Sequence, residues 1–220
     1  MRKIFVIISS LLYFCSCKQG DQSMFNFSSG SASENSTLNN QKVNPTEYLQ
    51  WSENPENGMI AEKTIDDLSF SAFYKTPEYL VLKEFGNGEI TKPEFDKKIK
   101  DYEGMQYFSF KIQDIKDEKE LLRKGLKSEQ EYYSRIEYFS FKMQKDFKLI
   151  EGTDTLNCLL FHFERSYGLA PNAVFTMGFE PGKNKTSTKS ILYQDNVFNV
   201  GNIYLTIKDK DLVKLPNLSI

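Results

Sequence analysis

The residue types best suited to chemistry occur together in one short segment, where Cys158, His162 and Glu164 supply a thiol, an imidazole and a carboxylate. Alternation along a strand would point all three side chains to the same face. A nucleophilic cysteine needs its histidine within hydrogen-bond reach, but strand residues four apart lie about 13 Å apart. Cys158 and His162 therefore cannot form a direct pair, and the same distance excludes a zinc site that uses both.

His162 is the only histidine in the chain, so any histidine-dependent catalysis or metal binding must use it. Only His162 and Glu164, about 7 Å apart between Cα atoms, could share a ligand, and no second histidine is present to complete a metal site. Phe161 and Phe163 flank the imidazole, which predicts a buried, neutral histidine bonded to backbone or to Glu164. We expect no catalytic residue, no metal and no cofactor here, and keep His162 and Glu164 as candidates.

Other catalytic signatures are absent from the sequence. It contains no G-x-S-x-G elbow, phosphate-binding glycine loop, H-E-x-x-H motif or dinucleotide fingerprint. Carboxylates are numerous, so a two-carboxylate glycosidase stays open, because the required separation of about 5 to 10 Å is set by tertiary structure. The cationic stretch 182–189 could contact lipopolysaccharide phosphates, but a polar hairpin loop explains it more simply.

Charge and length restrict the class of protein. The 220 residues carry 28 Lys and Arg against 30 Asp and Glu, a net charge of −2. A mildly acidic chain without a clustered basic face gives no reason to expect nucleic acid as a partner. Residues 44–220 are enough for one domain with a core of its own.

The elements of this domain are indicated by local signals. A capping residue, a proline or an acid in the first turn predicts helices that start at residues 44, 76, 91 and 128, and a short charged helix over 117–124. Trp51 on the first helix is expected in the core. Two-residue alternation predicts strands over 59–75, 156–164, 172–179, 190–195 and 202–208. The fold class expected is α+β, a mainly antiparallel sheet with short helices on one face.

A near-repeat stands out within the domain. Residues 107–113, YFSFKIQ, recur as residues 138–144, YFSFKMQ, and both copies follow a charged segment of helical character. The simplest interpretation is two similar helix–strand units whose strands share one sheet, with chance similarity as the alternative.

The N-terminus predicts export. Arg2 and Lys3 precede an apolar run over 4–14, which has the length of a signal-peptide core and is short for a membrane span. The following Phe14-Cys15-Ser16-Cys17 resembles the lipobox of bacterial lipoproteins, except that Phe14 stands where an aliphatic residue is usual. The resemblance implies a signal peptide over 1–16 and lipidation of Cys17. An ordinary secretory signal and a buried N-terminal helix are the alternatives.

Residues 17–43 would then form the lipidated cysteine and a polar tether, rich in Ser, Asn, Gln and Gly. As a flexible coil it would span about 25 to 30 Å. In such lipoproteins the residue after the cysteine influences sorting, and an acidic residue there is typical of retention in the inner membrane. Lys18 is basic, so we expect the protein in the outer membrane. An acidic stretch just after the anchor cysteine can direct lipoproteins of this kind to the cell surface. Here only Asp21 supplies an acid near the anchor, which favours a periplasm-facing domain, with the cell surface as the alternative.

The cysteine count agrees with this placement. Cys15 would leave with the signal peptide and Cys17 would carry lipid, so Cys158 would be the one remaining thiol of the three. No intramolecular disulfide is then possible, and the apolar core must hold the fold.

The stretch 157–171, NCLLFHFERSYGLAP, together with the aromatic strands before it, resembles exported lipoproteins of Bacteroidetes-type bacteria. That resemblance implies a location in the cell envelope and no mechanism. We expect a lipid-anchored envelope lipoprotein that binds or scaffolds an envelope protein or glycan without catalysis. The alternative is a carboxylate-based hydrolase of envelope or imported glycan.

Overall fold

A computed structural model describes residues 41–86, 88–165, 170–183 and 187–220. These residues belong to one compact unit. Its fold is α+β and dominated by antiparallel strands, as the sequence predicts. The predicted signal peptide, the predicted lipidation site Cys17 and the tether as far as residue 40 lie outside the described residues.

Five α-helices occur in the described part of the chain, and four of them begin at the predicted start signals. They are α1 (Pro45–Glu53), α2 (Pro77–Phe85), α3 (Lys92–Lys98), α4 (Glu129–Glu137) and α5 (Asp209–Leu212). Side-chain caps explain these starts: the Oδ1 of Asn44 accepts a hydrogen bond from the Glu47 N–H at 2.9 Å. The helix predicted over 117–124 is a single 3₁₀ turn, Leu121–Arg123.

Ten strands occur in the described residues, and eight of them form one antiparallel sheet. They are β1 (Lys42–Val43), β2 (Ile60–Ile65), β3 (Leu68–Lys75), β4 (Gln106–Asp114), β5 (Phe147–Glu151), β6 (Asp154–Glu164), β7 (Asn172–Phe179), β8 (Lys189–Gln194), β9 (Asn202–Ile207) and β10 (Asn217–Leu218). The order in the sheet is β2-β3-β4-β7-β6-β5-β8-β9. The sheet curls strongly, so its two outer strands, β2 and β9, approach each other.

The core lies inside this curled sheet and is largely aromatic. The even-numbered residues of β4 point inward, and Phe110 is fully buried against Phe147 in an edge-to-face pair with centroids 4.9 Å apart. Phe175 of β7 stacks against Phe163 of β6 at 5.2 Å. Each such ring contributes on the order of 2 to 3 kcal/mol by burial. A second cluster, formed by α1, α2 and α3, meets the outer side of β3 at Phe73.

The single strand predicted over 59–75 is wrong, because the chain turns back within it. β2 and β3 pair in register from Ile60 with Phe73 to Ile65 with Leu68, which leaves a two-residue turn. Asp66 has a φ of 52° in that turn, a left-handed conformation that aspartate tolerates better than most residues.

The near-repeat does not give two strands of one sheet, so that prediction is wrong. Residues 107–113 lie in β4, whereas residues 138–144 continue α4 as a π-helical turn, Tyr138–Lys142, and then a 3₁₀ turn, Met143–Asp146. Phe139 and Met143, four residues apart, are buried in the second copy, while Phe141 is 78% exposed.

The segments before the two copies explain this difference. Gly104, with a φ of 96°, separates the first copy from the preceding 3₁₀ turn, so the chain can enter β4 with new dihedral angles. The second copy follows α4 directly, and neither α4 nor the copy contains a glycine or proline. The helix therefore continues into the second copy.

Two further features were not predicted. Strand β5 lies in a segment assigned no structure from sequence, and it joins β6 to β8. β1 pairs in parallel with β10, so residues 42 and 43 belong to the folded domain rather than to the predicted tether. Trp51 is half-buried against the main core, which agrees with its predicted position.

Candidate binding pocket

The residues that sequence analysis selected do not come together. A β-bulge between Cys158 and Leu160 shifts the phase of β6 by one residue, so that Phe161 and Phe163 point inward with Cys158. His162 consequently points outward and is exposed, and the prediction of a buried imidazole is wrong. Cys158 and His162 therefore lie on opposite faces, and the prediction that their even spacing points both to one face is wrong.

The outward face of β6 carries ordinary surface contacts. Glu164 is exposed and accepts a hydrogen bond from the Thr176 hydroxyl at 2.8 Å.

Burial raises the pKa of the Cys158 thiol to about 12, which leaves it protonated and unreactive at neutral pH. Within the described ranges no group of three His, Cys, Asp or Glu side chains is placed to hold a metal ion.

A pocket of about 430 Å³ opens instead at one end of the curled sheet. Six neighbouring strands end or begin here because they alternate in direction: β3, β5 and β7 end, and β4, β6 and β8 begin. The volume lies in the range of about 300 to 1,000 Å³ that is usual for small-molecule sites. Its walls are formed by Tyr74, Thr76, Pro77, Glu78, Tyr102, Glu103, Gly104, Met105, Gln106, Pro181, Gly182, Lys189, Leu212 and Leu215.

A buried ion pair lies at the floor of this pocket. The ammonium of Lys189, at the start of β8, donates to Oε1 of Glu151, at the end of β5, and to Oε1 of Gln106 at 2.6 Å. The Lys189 and Glu151 side chains are only 1% and 5% exposed. The Lys189 ammonium also lies 5.3 Å from the centre of the Tyr74 ring. Burial lowers the pKa of Lys189, and the Glu151 carboxylate opposes that shift.

The remaining polar groups of the floor are held in place as well. Ser187 donates to Glu151 Oε1 at 3.1 Å, and the Gln106 Nε2 donates to the Glu180 carbonyl at 3.2 Å. Gly182 covers the pair from above: a Cβ there would overlap Oε2 of Glu151 and lie 2.8 Å from Nε2 of Gln106. Only glycine fits at this position without moving the floor.

The Tyr74 hydroxyl is the exception. It has no hydrogen-bond partner among the described residues, although no side-chain oxygen or nitrogen there is both fully buried and unpaired. The hydroxyl is therefore open to the space of the pocket. Burial, together with the nearby Glu78 and Glu151 carboxylates, raises the pKa of Tyr74 and keeps the hydroxyl protonated.

Two acids and a second tyrosine complete the walls. Glu78 is in the first turn of α2, where the helix dipole favours a negative charge. Glu103 follows the 3₁₀ turn Ile99–Tyr102 and is exposed. The Tyr102 hydroxyl donates to Glu84 at 3.0 Å, and that bond helps to fix its ring at the pocket wall.

Sequence analysis missed the floor, although a signal for it exists. Gln106, Glu151 and Lys189 each occupy an inward position of a strand, in phase with buried apolar residues such as Phe108, Leu149 and Ile191. A charged residue in the core phase of a strand predicts a buried partner. The strand order that joins the three residues is not visible in the sequence.

Comparisons of the chain with protein-family models, with curated proteins and with solved structures found no match. None of the helices in the described residues has both the length and the apolar character needed to cross a membrane.

Proposed function

We propose that this protein is a lipid-anchored lipoprotein of the cell envelope whose domain is a non-enzymatic binding module. Cys17 would carry the lipid in the outer membrane, with the domain facing the periplasm and the cell surface as the alternative. The pocket at the end of the sheet would take a small ligand or part of a glycan, and no nucleic acid. The proposal rests on the predicted export signal together with the polar pocket floor.

The observation that carries the binding role is the buried Lys189–Glu151 pair beneath an open Tyr74 hydroxyl. Apolar residues can often replace a buried ion pair with little loss of stability, or with a gain. Stability alone therefore does not explain why the chain places this pair at a pocket floor. A ligand that bonds to the Tyr74 hydroxyl beside the pair would explain why the pair lies at the pocket floor.

The same contacts favour binding over catalysis. The Lys189 ammonium is held by Glu151, Gln106 and the Tyr74 ring, so it is not free to act as a nucleophile or base. Such a network fixes side-chain positions and suits a preformed binding site.

The binding role is tested by thermal unfolding of the protein with glycan fragments prepared from the bacterial envelope. A ligand at one hundred times its Kd stabilises the folded state by about 2.7 kcal/mol, which gives a clear rise in Tm. Tyr74→Phe removes only the hydroxyl and should reduce that rise, whereas the matched surface variant His162→Gln should not. An equal rise in both variants would contradict a role for this pocket.

The anchor is tested by fractionation. Cys17→Ala should move the protein from the membrane to the soluble fraction, because the lipid would be lost. Cys158→Ala is the control, since it removes the half-buried thiol of β6 and should leave the protein in the membrane. Membrane retention of Cys17→Ala at the wild-type level would contradict the lipid anchor.

One observation favours a second candidate, the carboxylate-based hydrolase. Glu78 and Glu103 line the same pocket, as a pair of glycosidase acids would. Release of reducing ends from envelope glycan, abolished by both Glu78→Gln and Glu103→Gln, would support it. Binding without release by the wild-type protein would exclude it for that glycan.

A further inference from the structure

We infer that the ligand of the pocket is a small hydroxylated amine, bound as its ammonium form, of which an amino sugar is the simplest kind. This inference rests on the proposed function, because it takes the pocket as the binding site. It is carried by the charge of the walls, by the ring of Tyr102 and by the open Tyr74 hydroxyl.

The charge of the pocket is negative. Among the described residues, its walls and floor bring three carboxylates, Glu78, Glu103 and Glu151, together with one ammonium, that of Lys189, which gives a net charge of −2. Glu151 and Lys189 neutralise each other. No ion pair joins Glu78 or Glu103 to a cation of the described residues. The two acids at the wall thus attract a cation into the pocket.

An anionic ligand does not fit the same site. Lys189, the only cation among the described residues of the pocket, already donates to Glu151 and Gln106 and faces the Tyr74 ring. Two of its three N–H donors are therefore engaged, and Glu151 already balances its charge, so the pair has no net positive charge to attract an anion. A neutral ligand would leave the charges of the two wall acids unused.

The aromatic walls and the hydroxyl specify the rest of the ligand. Tyr102 offers ring surface to an ammonium group and to the carbon skeleton of a small ring. The Tyr74 ring already faces the Lys189 ammonium and packs against Phe108, so Tyr74 contributes its hydroxyl. The Tyr74 hydroxyl can donate to, or accept from, a ligand hydroxyl, whereas Gln106 has both ends of its amide occupied. A polar contact at Tyr74 and a charged contact at Glu78 or Glu103 would together fix the orientation of a compact amino alcohol.

A simpler account exists for each acid taken alone. Glu78 stabilises the start of α2, and Glu103 is an exposed loop residue. Neither role explains why both acids line one pocket, or why the hydroxyl of the half-buried Tyr74 beside them has no hydrogen-bond partner among the described residues. A cationic ligand accounts for all three observations.

The test compares three probes that share one ring: D-glucosamine, N-acetyl-D-glucosamine and D-glucose. Calorimetric titration is done near pH 6, where the free amine of glucosamine is protonated. The cation should gain roughly three- to thirty-fold in affinity over the two neutral sugars, the range expected for a cation at an aromatic and acidic wall. The preference should fall as salt rises, because exposed charges are screened.

Variants separate the parts of the inference. Glu78→Gln and Glu103→Gln should each reduce the preference for glucosamine, while Tyr74→Phe should weaken all three probes. Glu118→Gln, an exposed acid beyond the opposite end of β4, is the control and should change nothing. Equal affinity for the three sugars would overturn the amine inference and leave the proposed binding function intact. Binding of none of them would also overturn it, and the thermal test with envelope fragments would then decide the proposed function separately.

Discussion

Replacement of Lys189 by methionine should destabilise the domain strongly, although the new side chain is apolar and of similar length. The Lys189 and Glu151 side chains are 1% and 5% exposed, so Lys189→Met leaves the Glu151 carboxylate buried without its counter-charge. It also leaves Oε1 of Gln106 without the ammonium that donates to it at 2.6 Å.

The expected magnitude follows from these two losses. Removing one partner of a buried ion pair costs about 3 to 5 kcal/mol, because the other charge is left uncompensated. An acceptor left without a donor costs about 1 to 3 kcal/mol, and part of that loss is already contained in the first figure. In a domain of this size 1 kcal/mol shifts Tm by about 2 to 4 °C, so Lys189→Met should lower Tm by about 6 to 20 °C.

The assay is urea unfolding of four proteins: wild type, Lys189→Met, Glu151→Leu and the double variant. Because the two groups neutralise each other, the double variant should be more stable than the sum of the two single changes, by about 2 kcal/mol or more. Lys148→Met is a matched control on β5, where the lysine side chain bonds to Asn157 at the surface; it should cost less than about 1 kcal/mol.

Two results would refute this reasoning. A cost below about 1 kcal/mol for Lys189→Met would mean that water reaches Glu151 and that the pair is not buried in solution. Additive single changes would mean that Lys189 and Glu151 do not stabilise each other, whatever their separate costs.

Three further predictions concern other parts of the domain. Phe110→Ala should cost about 3 to 5 kcal/mol in urea unfolding, whereas Phe141→Ala should stay within about 0.5 kcal/mol, because the first ring is buried and the second is 78% exposed; equal costs would contradict the helical second copy. Asp114→Asn should destabilise by about 1 to 3 kcal/mol at pH 7, a difference that should vanish in acid. Gly182→Ala should cost about 1 to 3 kcal/mol by overlap with Glu151, and an unchanged urea midpoint would contradict this close contact.

The direction of the Asp114 effect follows from its hydrogen bonds. Burial alone would raise the pKa of Asp114, but the Lys124 ammonium and the N–H groups of Lys116 and Asp117 outweigh it and lower the pKa. The unfolded chain then binds more protons, so this stability is fully present above the unfolded pKa of about 3.9 and is lost as pH falls through the folded value. A difference between wild type and Asp114→Asn that stays constant from pH 7 down to pH 2 would contradict this assignment.

Much of the local structure could be predicted because its causes are local. The caps at Asn44 and Thr76 accept hydrogen bonds from residues three positions ahead, and such spacing is visible in the sequence. The alternation that marks β7 and β9 is likewise a property of neighbouring residues. By contrast, the chain reverses direction at Asp66, and the bulge at Cys158 shifts which residues of β6 point inward. Each change depends on a local backbone conformation that the alternation of residue types does not reveal.

The heptapeptide repeat shows how far context outweighs local sequence. Phe110 and Phe141 occupy the same place in nearly identical segments, yet one is buried in a sheet and the other is exposed in a π-helical turn. β-propensity is decided by packing against neighbouring strands more than by the backbone of the residue itself. The helix that runs into the second copy continues through it, and no strand of the sheet pairs with that copy among the described residues.

The candidate site depends on strand order, which the sequence does not contain. Gln106 and Lys189 are 83 positions apart and meet only because the sheet curls until the ends of β4 and β8 face each other. Sequence analysis kept His162 as a candidate because histidine is chemically versatile, whereas a lysine in the core phase of β8 was the more informative residue.

Buried polar residues occur at both ends of the sheet, and their contacts separate a structural role from a binding role. At the far end of β4, Asp114 accepts bonds from the N–H groups of Lys116 and Asp117 and from the Lys124 ammonium at 2.5 Å, so it closes the following loop. Its partners account for its burial completely. At the near end Lys189 and Glu151 are satisfied as well, but the Tyr74 hydroxyl beside them faces a pocket of about 430 Å³. The structural cluster is complete in itself, whereas the pocket presents one hydroxyl without a hydrogen-bond partner and two acids without an ion-pair partner among the described residues.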